Sequence, residues 1–204
     1  MKKAEKTEIT KEKILNAAMT EFGTYGYDGA TINQICRHYS ISKGLIYHNF
    51  ESKGELYLCC VQTAVNAFIR HMSAFQFGTD FKKYMQERYR FFQKNPQYGR
   101  LIFAAVHTEE TAFLHALQEI RNQFDTYNAH LYLSAVDSLK LRDGVSRADA
   151  LQYYMLLQDM LNSYISITGT ADSDKTVLDS HEKSLEKILD YMLYGIAEEE
   201  KWKK

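Results

Sequence analysis

Apolar positions recur at spacings of three and four through most of this chain, the mark of amphipathic helices. Ile14, Leu15, Ala18, Phe22 and Tyr25 define one face of a first helix over about residues 10–25. A long helix is predicted from Ser52 to near Phe77, with Gly78 as its stop and Thr79 capping the next. That next helix carries Phe81, Tyr84, Met85, Arg88, Phe91 and Phe92 at helical spacing. Asn95 and Pro96 restart the chain, one as cap and the other at the first helical position. Residues 109–140 bring Phe113, Leu117, Ile120, Phe124, Tyr127 and Leu131 onto one stripe. Asp143-Gly144 breaks the pattern, and Ser146 with Asp149 opens a helix whose inward side holds Leu151, Tyr154, Met155, Leu161, Tyr164 and Ile165. After a polar loop, Thr168 to Lys175, the last stripe is Leu185, Ile188, Leu189, Met192, Leu193 and Ile196. The pattern predicts an all-α protein without internal repeats.

Residues 31–50, TINQICRHYSISKGLIYHNF, depart from this run of longer helices. Thr31 and Gln34 form a capping box: the hydroxyl accepts from the Gln34 amide, and the glutamine reaches back to the Thr31 amide. Ser42 caps a second short helix. Tyr39, Ser40 and Ile41 make the turn between them. Ile35, Cys36, Ile41, Ile46 and Phe50 form the apolar faces that lock the pair together. Two short, rigidly joined helices of this kind suit a helix-turn-helix, whose second helix enters the major groove of DNA.

The outward residues of that second helix carry the chemistry. Lys43 can bond a guanine or a phosphate, Leu45 can pack on a thymine methyl, and Asn49 can bond a base or a phosphate. Gly44 is a poor helix former but lets the backbone approach a base edge closely. Tyr47 and His48 lie one turn on, at phosphate reach. Ser52 and Glu55 form a second capping box, and the amides of that helix start, with Lys53, suit a phosphate. Thr31, Ser42, Lys43, Gly44, Leu45, Tyr47, His48, Asn49 and Lys53 are therefore the candidate DNA-binding residues. The competing reading is a helical adaptor in which residues 31–50 only pack; it predicts no DNA affinity.

Residues 11–58 resemble the N-terminal domain of TetR-type transcriptional regulators. The resemblance is carried, in order, by Ile14-Leu15, Ala17-Ala18, Phe22, Gly26-Tyr27-Asp28-Gly29-Ala30-Thr31, Ile35, Ile41-Ser42-Lys43-Gly44, Tyr47, Phe50, Lys53 and Leu56. Cys36 and Tyr39 replace usual alanines, Ser40 a glycine and Leu45 a common threonine, so no known operator sequence transfers. The resemblance implies a DNA-binding domain of three helices at residues 1–53 and a larger helical domain at 54–204 for ligand binding and dimerisation. It also implies a repressor that holds a palindromic operator as a homodimer and is released by a small molecule. The long helix from Ser52 would then link head to ligand domain.

Composition and charge sharpen this picture only locally. The net charge is −1, but residues 1–53 carry +2 and the rest −3. A single proline and 45% apolar residues suit a helical protein with a substantial core. The N-terminal MKKAEKTEITKEK lacks the apolar stretch of a secretory signal and reads as a flexible charged arm. No run of 18 apolar residues is present, so no membrane partner is expected, and the expected location is cytoplasmic. Cys36, Cys59 and Cys60 have no metal-ligand spacing and read as small buried residues, with a redox switch at Cys59 or Cys60 the less favoured alternative.

No GxSxG elbow, glycine-rich phosphate loop or HExxH occurs, which argues against an enzyme. His115 with Glu119, and His107 with Glu109 and Glu110, read as solvated pairs and not as metal ligands. No cofactor is expected beyond an unknown small-molecule inducer. Its candidate lining is Phe92, Phe103, His107, Phe113, Tyr127, Tyr154 and Gln158, a set that suits an apolar or cationic molecule through cation–π contacts; the plain alternative is that these aromatics are core. The last two helices, about residues 146–168 and 176–197, are apolar over more than one stripe, as a homodimer interface requires.

Overall fold

The computed structural model describes residues 3–106, 108, 110–168 and 174–196, with side chains from 7 to 161 and 180 to 195 within those limits, Tyr194 apart. Their regular elements are helices: α1 (Lys3–Gly29), α2 (Ile32–Tyr39), α3 (Lys43–Asn49), α4 (Lys53–Ser73), α5 (Phe81–Lys94), α6 (Pro96–Val106), α7 (Leu114–Val136), α8 (Arg147–Thr168) and α9 (Asp174–Ile196). The chain divides into two compact units. One holds the residues up to Phe68 together with Asn95–Asn122; the other holds Ile69–Lys94 and the chain from Gln123 on.

In the first unit, α1 begins earlier than the apolar pattern predicts, at Lys3. The expected flexible arm is helical because Ala4, Glu5, Lys6 and their neighbours are good helix formers, a preference that needs no buried stripe. The helix breaks at Gly26, whose φ of 69° is open to glycine. Ile14, Ala17, Ala18, Met19 and Phe22 are buried, whereas Tyr25 is exposed, contrary to expectation. α1 packs on α6 at Gly23, where a Cβ would lie 3.4 Å from the Gln97 carbonyl oxygen, an ordinary contact distance. Ile35, Ile41, Ile46 and Phe50 are buried behind α2 and α3, and at roughly 1.5–3 kcal/mol per large apolar side chain they hold the pair rigid. Cys36 is only half-buried.

One buried group breaks the apolar pattern of this unit. Glu21 sits on the core side of α1, 4% exposed, with its Oε1 2.7 Å from His38 Nδ1 on α2. Its Oε2 is buried without a hydrogen-bond partner. A carboxylate in this place loses more solvation than one half-exposed histidine returns. Glu21→Leu is therefore expected to stabilise the protein by about 1–2 kcal/mol. His38→Ala, which strands the carboxylate, is expected to destabilise it by about 1–3 kcal/mol. Urea unfolding of both variants checks the opposite signs; a loss in both would sink the account.

The second unit departs from the sequence pattern in phase more than in content. Phe81, Tyr84, Met85, Arg88, Phe91 and Phe92 all face inward from α5, as expected. However, α4 ends at Ser73 and not near Phe77. Asp80, not Thr79, caps α5 by accepting from the Lys83 amide at 2.9 Å, since its carboxylate reaches the amide three residues on. The α7 stripe continues from Phe124 through Asn128 and Tyr132, leaving Tyr127 and Leu131 half-buried. On α8 the inward set is Ala150, Tyr154, Leu157 and Leu161; Leu151 is half-buried and Met155 exposed. Met155 stands one position from Tyr154, which turns it about 100° away from the core. The side chains of Tyr164, Ile165 and Ile196, and most of the Thr168–Lys175 segment, lie outside the described residues.

Arg88 is the centre of this unit. It is 1% exposed and grips Glu182 of α9, 2% exposed, through Nε to Oε2 at 2.8 Å and Nη2 to Oε1 at 3.0 Å. Its Nη1 donates to Asn128 Oδ1 at 2.8 Å, which also accepts from the Tyr84 hydroxyl. The guanidinium lies over the rings of Phe92 and Phe124, 5.2 and 5.3 Å from their centroids. Burial pushes the Glu182 carboxyl up, but Arg88 and His181 outweigh it and hold the group down at about 2. The helical spacing predicts that Arg88 points inward; it offers no sign of the partner.

Candidate nucleic-acid interface

The local geometry of residues 31–50 follows from short-range bonds. Thr31 Oγ1 accepts from the Gln34 amide at 3.2 Å, as the capping pattern predicts. The reverse half differs: the threonine hydroxyl donates to Gln34 Oε1 at 2.6 Å, so the glutamine meets the hydroxyl and not the Thr31 amide. Ser40 closes α2 in the left-handed region, with φ 53° and ψ 45°. The Ile41 amide then donates back to the Cys36 carbonyl at 3.1 Å, a bond that repays part of the strain. Ser42 Oγ accepts from the Leu45 amide at 3.2 Å and sets the start of α3.

With Ile46 and Phe50 turned to the core, the other side of α3 is open. Ser42, Lys43, Gly44, Leu45, Tyr47 and His48 are exposed there, and so is Thr31 at the head of α2. A Cβ at Gly44 would meet nothing within 4 Å, so no packing inside the protein calls for glycine. The Lys43 ammonium lies 5.9 Å from the centre of the Tyr47 ring, one helical turn away. Asn49 is half-buried, and its amide donates to the Leu45 carbonyl at 2.8 Å, which turns it partly inward. Arg37 and His38 add exposed basic groups at the end of α2 that the candidate set did not include.

Lys53 stands apart from the α3 row. It is half-buried, with its ammonium 4.2 Å from the centre of the Tyr27 ring. Burial lowers its pKa, against the opposing pull of Asp28 and Glu110. The start of α4 is already satisfied in part: Ser52 Oγ accepts from the Glu55 amide, and the Glu55 carboxylate accepts from the Glu51 amide. Tyr27 also contacts Tyr57 and Phe113, and Phe113 lies against Gly54, where a Cβ would come within 2.9 Å of its Cδ1.

The ligand candidates divide between the two units. Phe113 belongs to the aromatic cluster just described, and Phe103 is half-buried on α6, both in the first unit. His107 lies outside the described residues. In the second unit Phe92 and Tyr154 are buried beside Arg88, Gln158 Nε2 donates to the Tyr154 hydroxyl at 2.8 Å, and Tyr127 accepts from Ser73 at 3.3 Å. A cavity of about 500 Å³ in this unit is lined by other residues, among them Phe81, Met85, Leu139, Glu186, Asp190 and Leu193. Burial raises the pKa of both Cys59 and Cys60, which keeps the thiols protonated and speaks against a reactive thiolate. His115 and Glu119 form an exposed pair at 3.5 Å. Among the described residues no group of histidines, cysteines and carboxylates could hold a metal, and no helix is long and apolar enough to cross a membrane.

Residues 14–59 match the profile of bacterial regulatory proteins of the tetR family. The biofilm operon icaADBC HTH-type negative transcriptional regulator IcaR of Staphylococcus epidermidis is 37% identical over 59 residues, 29% of this chain and 32% of that protein. Its counterpart in Staphylococcus aureus strain Newman is 31% identical over 74 residues, 34% of this chain and 40% of that one. These matches thus span between about a third and two fifths of the curated relatives. Solved structures are similar over nearly the whole fold. A TetR-family transcriptional regulator from Agrobacterium tumefaciens has a TM-score of 0.67 at 13% identity, covering 94% of this chain and 100% of that one. The transcriptional regulator FadR from Bacillus subtilis in complex with stearoyl-CoA has a TM-score of 0.66 at 14% identity, covering 91% and 98%.

Proposed function

Its N-terminal domain makes this chain a member of the tetR family of bacterial regulatory proteins, and from that premise we propose that it is a sequence-specific DNA-binding transcriptional regulator. In this reading it is a repressor that holds a palindromic operator as a homodimer in the cytoplasm. Residues 1–53 read the DNA, and residues 54–204 dimerise and take a small-molecule inducer. It is not an enzyme and needs no cofactor.

The observation that carries the reading is the division of α3 into two sides. Ile46 is locked in the core, while Lys43, Gly44, Leu45 and Tyr47 are exposed, and a Cβ added at Gly44 would meet nothing within 4 Å. A rigid helix with that profile matches the depth and donor pattern of a major groove. Thr31, Ser42, His48, Asn49 and Lys53 are assigned to phosphates and neighbouring bases. Dimerisation is supported by the outer face of α8, where Tyr153, Leu156 and Met160 are exposed at helical spacing, and by Tyr191 of α9, 72% exposed. Two copies joined there would set two α3 helices to read half-sites about 34–36 Å apart, or a multiple of one turn. An inducer acts by binding one arrangement of the heads more tightly than the other. Phe92, Phe103, His107, Phe113, Tyr127, Tyr154 and Gln158 remain the proposed lining.

Selection of fragments from randomised DNA by the purified protein at about 0.15 M salt, where non-specific binding is suppressed, tests the proposal. Recovery of a palindrome supports it; recovery of nothing, also at low salt and after refolding to strip bound ligand, points to a helical adaptor. On the recovered site, Tyr47→Phe is expected to weaken binding evenly across sequences, as loss of a phosphate contact does. Lys43→Ala and Leu45→Ala are expected to change base preference by about 1–3 kcal/mol at one position each. Equal losses on every sequence for all three variants would refute that division of labour.

A further inference from the structure

We propose that Arg88 is a positioning residue for self-association: by gripping Glu182 it sets the rotational register of α9 and so presents the α8–α9 face to a second copy of this chain. The inference rests on the homodimer reading above.

The grip is directional. Two parallel bonds, 2.8 and 3.0 Å long, join the guanidinium fork to both carboxylate oxygens, and such a fork fixes angle as well as distance. Arg88 is held in turn by Asn128 of α7, and His181 Nδ1 lies 3.1 Å from Glu182 Oε1. Helices α5, α7 and α9 are thereby tied at one point. Besides His181 and Glu182, the fully inward side chains described on α9 are Leu185 and Leu189. Leucine contacts are non-directional and tolerate small rotations.

The outer side of α9 depends on that angle. At about 100° per residue, Ser184, Ile188, Tyr191 and Gly195 share a face roughly opposite Glu182. A rotation that lifts Glu182 from Arg88 changes the angle between this stripe and the exposed Tyr153, Leu156 and Met160 of α8. A two-fold interface uses the same patch twice, so an error in the patch counts on both sides. Burial by itself does not explain an ion pair here, because two apolar side chains of similar volume fill such a place at least as well. What the apolar pair lacks is direction.

The test compares the parent chain with the double variant Arg88→Met, Glu182→Leu by sedimentation equilibrium over a concentration series, with circular dichroism alongside. The variant is expected to keep its helicity and unfold cooperatively, while its dimer dissociation constant rises by about tenfold or more. A helical, cooperative variant with an unchanged dimer constant overturns the proposal, because a purely structural pair would behave that way. A parent that stays monomeric at every concentration overturns the dimer reading itself, and this inference with it. Should the double variant fail to fold, Arg88→Lys, which keeps the charge but not the planar fork, is judged by the same two results.

Discussion

Arg88→Ala will lower the stability of the protein by about 3–5 kcal/mol, the cost of leaving a buried carboxylate without its counter-charge. Glu182 is 2% exposed and cannot recover its hydration without opening the core. The variant also strips Asn128 Oδ1 of one donor and leaves Phe92 and Phe124 facing a void. In urea, where slopes are commonly 1–3 kcal/mol per molar, the midpoint should move down by about 1 M or more. A shift of a few tenths molar would mean that Glu182 had found water or another cation. The same pair predicts an acid dependence. The folded Glu182 carboxyl is held at about 2, below the usual carboxylate range it regains on unfolding. Its contribution is thus fully present above about pH 4.5 and is lost as pH falls through the folded value. Glu182→Gln should remove that part of the acid sensitivity while lowering stability at neutral pH. Unchanged acid dependence in the variant would assign the effect to other carboxylates.

Gly44→Ala should move stability and DNA binding in opposite directions. In the helix interior alanine is favoured over glycine by about 1 kcal/mol, and no neighbour within 4 Å obstructs the added methyl, so the head should become more stable. The methyl would stand on the exposed side of α3, beside Lys43 and Leu45, where the proposal brings a base edge or phosphate against the backbone. Binding to the selected operator should therefore weaken by tenfold or more, about 1.4 kcal/mol. Thermal unfolding and a titration of labelled operator measure the two quantities on one preparation. Higher stability with undiminished affinity would show that α3 does not approach DNA through Gly44, and the docking proposed for this helix would have to be redrawn.

Helix boundaries set by capping were legible at three serines, though not at α5, where Asp80 caps in place of Thr79. Ser42 and Leu45, Ser52 and Glu55, and Ser146 and Asp149 each make the bond that the spacing predicts. Boundaries without a cap were less legible. The start of α1 at Lys3 rests on propensity spread over several residues, and the end of α4 at Ser73 falls short of the glycine at 78. Phase failed in the same manner. After Phe124 the buried stripe of α7 runs through Asn128, a polar residue that no hydropathy pattern selects, because its amide is engaged by Tyr84 and Arg88. Ser42, Lys43, Gly44, Leu45, Tyr47 and His48 were legible as an exposed row because Ile46 and Phe50 fix which way α3 faces, whereas Asn49 and Lys53 are half-buried. The ligand candidates were not, since an aromatic that packs on a neighbour and one that lines a site share the same spacing.

The sequence by itself determined the all-helical class, the short helix pair at residues 31–50 and the side of α3 that stands open. Those features depend on propensities, caps and apolar spacings that act over one or two turns. Only the tertiary structure decided that Arg88 meets Glu182 across 94 residues, that Glu21 is buried against His38, and that Tyr153, Leu156 and Met160 lie on the outer side of α8. A charged or apolar residue on a helix carries no local record of what will face it. Burial and charge pairing are properties of distant segments brought together, and they appear only once the helices have packed.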